Sequence, residues 1–232
     1  MKNIAIIPAR GGSKGIPKKN IINFCGKPLI AWSILQVLNT PEIDSVFVSS
    51  DSDEILNIAK KYGAEQIKRP VQISGDEASS ESAVVHALKV IGGHIETIVM
   101  PQVTSPLRKL NDLSRAVRQF KKEGMDSFFS GSILGDFLIW QKDPSGILNS
   151  FNYDYAKRGR RQDRKPQFLE NGSFYIFKPE IILKTGNRLG GDIGIFLMDF
   201  WQSFEIDSTE DIEMVSMLFN IKLKSFYESI IK

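Results

Sequence analysis

Residues Arg10-Gly11-Gly12-Ser13-Lys14-Gly15, followed by Lys18, Lys19 and Asn20, concentrate the groups that hold a polyphosphate. Glycines at 11, 12 and 15 permit positive φ and close backbone approach, so successive amides can turn toward one anion. Arg10, Lys14, Lys18 and Lys19 add positive charge, which is costly to cluster without a partner. In a Walker A loop Gly-Lys-Ser/Thr would follow the glycines, and here it does not; nor is this the dinucleotide pattern Gly-x-Gly-x-x-Gly. An anion-binding loop is expected in preference to a bare structural turn.

A second candidate lies near the end of the chain. On an extended stretch Glu205 and Asp207 point to the same face, as a period of two requires. Two carboxylates suit a hard cation such as magnesium, which takes one or two of them beside phosphate oxygens. The alternative is a pair of solvated carboxylates on an edge. Between these sites, Lys157, Arg158, Arg160, Arg161, Arg164 and Lys165 stand against Asp163 alone. Such a run is commonly solvated or binds polyanions, but arginine also makes a forked pair of bonds to a carboxylate. His86 and His94 have no third ligand at metal spacing, and Cys25 has no neighbouring base.

These residues need a scaffold, and the chain supplies the length for one domain: 232 residues, 42% hydrophobic and 25% charged. A net charge of +3 does not by itself indicate nucleic acid. One cysteine excludes an internal disulfide and any cysteine-rich metal site. No apolar run approaches the roughly 18–20 residues of a membrane span. Met1-Lys2-Asn3 and four apolar residues before Pro8 do not form a signal peptide, so a cytoplasmic protein is expected.

Ile4–Ile7 predicts a buried strand before the glycine loop, and 28–38 a largely buried helix opened by Pro28. A strand at 45–49 leads to a helix capped within Ser50–Asp53 and ending at Gly63. Another helix opens at Ser79–Ser82 and ends at Gly92-Gly93, and 97–100 is the next strand. A helix carrying Leu110, Leu113, Val117 and Phe120 finishes at Gly124. This alternation predicts a doubly wound α/β sheet, in which ligands sit beyond the carboxyl ends of the strands. The loops at 10–20, 49–53 and 101–108 fall there. From Ser127 short apolar runs replace the alternation, and residues ~134–172 read as an excursion from the main sheet. Ser208-Thr209-Glu210-Asp211 caps a last helix.

The motifs together resemble the acylneuraminate cytidylyltransferases, the CMP-sialic acid synthetases. Ala9–Pro17 with Lys19-Asn20-Ile21 looks like the signature of that family. Pro101–Arg108 is similar to its Q-P-T-S-P-L-R loop, with Val103 in place of a proline. Arg160–Asp163 and Glu170–Tyr175 match stretches seen particularly in vertebrate members, and Glu205-Ile206-Asp207 stands where the family usually carries D-I-D.

The resemblance implies a Rossmann-like nucleotidyltransferase domain over 1–232, with a mixed, mainly parallel sheet. It also implies a homodimer whose small protruding subdomain at about 134–172 crosses to the partner and closes its sugar pocket. The implied reaction transfers CMP from CTP to the anomeric hydroxyl of a nonulosonic acid, releasing pyrophosphate, with Mg2+ as cofactor. Arg10, Gly11, Gly12, Ser13 and Lys14 would hold the triphosphate, with Arg10, Lys14 and Asp207 catalytic and Lys14 stabilising charge at the α-phosphate. Lys19, Asn20, Arg69, Ser80 and Gln102 would line the nucleotide and its junction with the sugar, although Arg69 also reads as a solvated surface arginine. Arg161 and Gln162 would meet the sugar acid with Asn171 nearby. Asp207 and, with a longer arm than the family's aspartate, Glu205 would hold the metal, while Asp211 is assigned to helix capping. Rival readings are a Kdo cytidylyltransferase, a non-enzymatic module gripping nucleic acid, and a nucleotide-sensing relative without catalysis. Neither nucleic acid nor membrane is expected as a partner.

Overall fold

A computed structural model describes residues 2–13 and 15–228, and for Arg161 the backbone alone. Strand β1 (Lys2–Pro8) is apolar on both faces and lies inside a seven-stranded sheet. The glycine loop follows, then a small hairpin of β2 (Asn23–Phe24) and β3 (Lys27–Pro28) and helix α1 (Leu29–Leu38). Next come β4 (Ser45–Ser50), α2 (Asp53–Lys61), β5 (Glu65–Lys68), α3 (Ser80–Ile91), β6 (Ile95–Pro101) and α4 (Asp112–Glu123). The caps expected from sequence are present: Ser52 accepts from the Ile55 amide, and Ser79 from the Ser82 amide.

The second half adds β7 (Ser127–Ile133), a hairpin of β8 (Trp140–Lys142) and β9 (Leu148–Ser150), then β10 (Phe168–Phe177). It closes with α5 (Pro179–Thr185), β11 (Ile193–Leu197), α6 (Thr209–Lys222) and α7 (Lys224–Glu228). The sheet runs β11-β7-β10-β6-β1-β4-β5, and β10 alone is antiparallel to its neighbours. The mixed, mainly parallel architecture expected from sequence is therefore present.

Period two along β1 divides the core. Ala5 and Ile7 face one apolar layer with α1, α2, α4 and α6, whereas Ile4 and Ile6 face another with α3 and α5. Because β10 runs backwards, its opening residues lie at the same edge as the carboxyl ends of β1, β4 and β6. The end of β7, from which the protrusion departs, shares that edge.

Two local expectations change. The protrusion closes at residue 167 rather than 172, because Phe168–Glu170 pair with Gly131–Ile133 and belong to the main sheet. Phe204 is extended, residues 205–206 carry no regular structure and Asp207 sits in a bend, so the segment forms no ladder; the Ile206 amide donates to the Thr104 carbonyl at 2.8 Å.

Candidate active site

A cavity of about 420 Å³ opens at the carboxyl edge of the sheet. Arg10, Ser13, Lys19, Asn20, Arg69, Ser80 and Asp207 line it, so one pocket gathers most of the nucleotide residues and the firmer metal candidate. Pro8, Gly15, Asp76, Ala78 and Thr104 complete the wall. Lys14, assigned a catalytic role from sequence, lies outside the described residues.

The glycine loop is held by polar contacts from three directions. The Gly11 amide donates to Asp51 Oδ1 at 2.8 Å, and Asn20 Nδ2 donates to the Arg10 carbonyl at 2.9 Å. Arg10 reaches the Gly75 carbonyl and lies 3.2 Å from Asp76. Gly11 and Gly12 do not use positive φ; the requirement for glycine comes from close approach instead. A Cβ at Gly15 would lie 2.7 Å from the Asp207 carbonyl oxygen, and one at Gly11 would lie 3.0 Å from Ser52 Cβ. Gly15 therefore lets the loop and the Asp207 segment meet backbone to backbone.

Arg69 is only 4% exposed, which removes the surface-arginine alternative. Its Nε and one terminal nitrogen have no hydrogen-bond partner, and Asp51 Oδ1 stands 3.8 Å from that nitrogen. Burial lowers its pKa; Asp51 opposes the shift and Arg10 adds to it. Buried guanidinium donors without hydrogen-bond partners, beside a polar cavity, suit an anionic or carbonyl-bearing ligand.

At the other end, Lys19 Nζ donates to Asp207 Oδ1 at 2.9 Å. Glu205 accepts weakly from Thr104 Oγ1 at 3.4 Å. Part of its side chain remains exposed, yet loss of water around the carboxyl and the adjacent Asp207 charge raise its pKa, against Thr104 and Lys19. Two neighbouring carboxylates, one of them (Glu205) with its charge disfavoured by lost water and by Asp207, form a donor set suited to a divalent cation. No cluster of three or more His, Cys, Asp or Glu side chains that could hold a metal occurs among the described residues, so a metal here would draw its remaining ligands from phosphate or water. Asp211 accepts from the Asp207 and Ser208 amides at 3.0 and 2.7 Å, the capping role expected of it.

The sugar-side candidates are scattered. Gln102 lies two residues before Thr104 on the loop after β6, with its amide donating to the Ser173 carbonyl at 2.9 Å. Asn171 is buried and its side chain is engaged: Oδ1 accepts from Ser130 Oγ and from the Ser173 amide, while Nδ2 faces Met198 Sδ. It stitches the register break in β10, where Gly172 adopts a φ of 62°. Gln162 is exposed on the protrusion and does not line the cavity of its own chain. The Arg161 side chain lies outside what the structure describes. Lys157, Arg158, Arg160, Arg164 and Lys165 surround a separate cavity of about 380 Å³ within the protrusion.

Sequence reasoning assigned Asp51 to helix capping and gave Thr104 and Asp76 no role. The available signal was position, since Asp51 directly follows β4 and Thr104 lies three residues past the end of β6, both at the ligand-bearing edge.

A family model described as cytidylyltransferase matches residues 4–230. A pseudaminic acid cytidylyltransferase of Campylobacter jejuni is 31% identical, with 98% of this chain and 100% of that protein aligned. N-acylneuraminate cytidylyltransferase A of Danio rerio is 37% identical over 88% of this chain and 47% of its own length. Among solved structures, a CMP:2-keto-3-deoxy-manno-octonic acid synthetase complexed with CTP superposes with a TM-score of 0.73. That alignment covers 96% of this chain and 100% of the other at 14% identity, a likeness of fold.

Proposed function

The chain belongs to the cytidylyltransferase family, and from that premise we propose that it transfers CMP from CTP to the anomeric hydroxyl of a sialic-acid-like nonulosonic acid. The observation that carries this reading is the cavity in which Arg10, Ser13, Lys19, Arg69 and Asp207 converge. End-to-end similarity to a cytidylyltransferase that acts on pseudaminic acid supports a nonulosonic acid over Kdo as the acceptor.

The chemistry follows from the wall. Attack by the sugar hydroxyl on the α-phosphate releases pyrophosphate, so the protein must align the two and neutralise charge. Arg10, Ser13, Lys19 and the loop amides receive the triphosphate, with Lys14 supplying charge at the α-phosphate. Arg69 and Ser80 offer donors to the nucleotide. Asp207 and Glu205 fit a magnesium ion, which when bound would neutralise phosphate oxygens.

The same proposal makes the protein a homodimer. The protrusion leaves Phe137, Trp140, Ile147, Leu148, Phe151 and Tyr155 exposed, a grouping that favours association. Crossing to a partner would also give Gln162 and Arg161 a sugar acid to bind. Among the described residues no helix is long and apolar enough to cross a membrane, and a cytoplasmic site of action fits a CTP-consuming enzyme.

The test is pyrophosphate release from CTP and magnesium across a panel containing pseudaminic acid, N-acetylneuraminate and Kdo. Release with a nonulosonic acid and little with Kdo is expected. Equal rates with ATP, or release independent of any sugar, would overturn the proposal.

A further inference from the structure

Among the described residues Arg108 is the largest fully buried side chain, at 0% exposure, and its hydrogen bonds go to no carboxylate. Its guanidinium instead gathers neutral acceptors from three separate elements. Nε donates to Gln36 Oε1 at 2.7 Å, and one terminal nitrogen to Ser33 Oγ at 2.6 Å, both on α1. The other terminal nitrogen reaches the Ser105 carbonyl and, on β10, the Ser173 carbonyl at 2.9 Å. Both terminal nitrogens approach the Gln102 carbonyl, at 3.3 and 3.1 Å. Gln36 then closes the ring by donating to the Pro106 carbonyl at 3.0 Å.

Burying a cation without a counterion is expensive, and the expense depresses the Arg108 pKa to about 10. A methionine would fill such a space without that cost. What a methionine cannot do is hold Gln102 and Ser105 of one loop against Ser173 of β10 and Ser33 of α1. That loop carries Gln102 and also Thr104, whose carbonyl takes the Ile206 amide and whose hydroxyl meets Glu205. The loop is braced from behind as well. Tyr227, on α7 and 1% exposed, donates its hydroxyl to the Arg108 carbonyl at 2.7 Å.

We propose that Arg108 is a positioning residue for the reaction, setting the 102–105 loop and, through Thr104, the Glu205–Asp207 segment, with Tyr227 as its brace. This rests on the cytidylyltransferase reading of the cavity. The hydrogen bonds of Arg108 go to none of the described glycine-loop residues and not to Arg69, so ground-state binding of CTP is largely independent of it. Alignment of the carboxylates with the triphosphate is not.

The experiment compares wild type with Arg108→Lys and Tyr227→Phe in steady-state titrations of CTP, acid sugar and magnesium, beside a thermal melt. Lysine keeps the charge but cannot span acceptors on three elements. Misplacement by about 1 Å can cost roughly a hundredfold, so kcat for Arg108→Lys should fall on that order while KM for CTP stays within about twofold. Tyr227→Phe keeps the ring stacked on Phe219 and should fold. Its kcat should fall severalfold, with more magnesium needed for half-maximal rate and a melting temperature close to wild type. A merely structural role predicts lower Tm with unchanged kcat per folded molecule, and that result would overturn the proposal. If Arg108→Lys does not fold, Tyr227→Phe decides alone: wild-type kcat and magnesium dependence would reject the inference. Absence of turnover in the wild-type protein would instead reject the cytidylyltransferase reading itself.

Discussion

Lys19 and Asp207, 188 positions apart in the chain, meet at 2.9 Å across the mouth of the cavity. Lys19 follows the glycine loop and Asp207 precedes α6, so the contact joins the phosphate-binding end of the site to its carboxylate end. The lysine shares the carboxylate that the proposed metal would need. Substrate and metal binding should therefore loosen this pair and free Lys19 for phosphate.

Asp207→Asn removes a hard anionic ligand and the partner of Lys19 together. Turnover should fall by roughly a hundredfold or more without recovery at saturating magnesium, while CTP affinity stays near wild type. Glu205→Gln should lose less, because lost water and then the neighbouring Asp207 already disfavour charge on its carboxyl. Magnesium titrations of kcat on both variants check the order, and near-normal activity for Asp207→Asn would remove it from the metal site.

Gly15→Ala places a methyl group 2.7 Å from the Asp207 carbonyl oxygen, which is backbone and has little room to yield. Overpacking of this kind costs about 1–3 kcal/mol. The loop should separate from the Asp207 segment, lowering Tm and raising KM for CTP together. At Gly12 a new Cβ meets nothing within 4 Å, so Gly12→Ala should cost less on both measures.

Arg69→Lys keeps a positive charge but discards the planar fork whose Nε and one terminal nitrogen are buried without a hydrogen-bond partner. Hydrogen bonds to charged groups contribute about 1.5–3 kcal/mol, so KM for CTP should rise roughly tenfold to a hundredfold. KM for the acid sugar should move little. An unchanged CTP titration would show that Arg69 serves the fold alone.

Glu81, beside the cavity residue Ser80, accepts from Arg188 Nε at 2.6 Å. Burial alone would raise its pKa, but the Arg188 hydrogen bond and charge outweigh burial and hold it below the ordinary carboxylate value of 4.5. A depressed folded-state pKa contributes stability above the unfolded pKa and loses it as pH falls through the folded one. Glu81→Gln should accordingly lower Tm at pH 7, and the gap to wild type should close as pH falls below about 4. Melts across that range test it; a gap independent of pH would assign the loss to packing.

The anion loop, the successive helices and their caps were legible because each depends on groups within a few residues of one another. Ser52 and Ser79 cap helices where their patterns place them, and Ser208 forms a reciprocal box with Asp211. Strands alternating with helices dictated a largely parallel sheet, with its loops at the ligand-bearing edge. The motif order along nearly the whole chain identified the family for the same reason: it is a linear property.

Only the tertiary structure decided which distant groups touch. Insertion of β10 between β6 and β7 brings Glu170–Ser173 to the site edge, but it also creates the register break that consumes the Asn171 amide inside the sheet. Burial of Arg69 depends on the arrangement of the loops after β1, β4 and β5, which a short Lys-Arg-Pro segment does not disclose. Arg108 stands in a recognisable motif, yet its seven donor–acceptor contacts come from α1, β10 and its own loop. Sequence periodicity records which face of an element is apolar. The partners of a buried charge are set by the packing of elements that lie far apart along the chain.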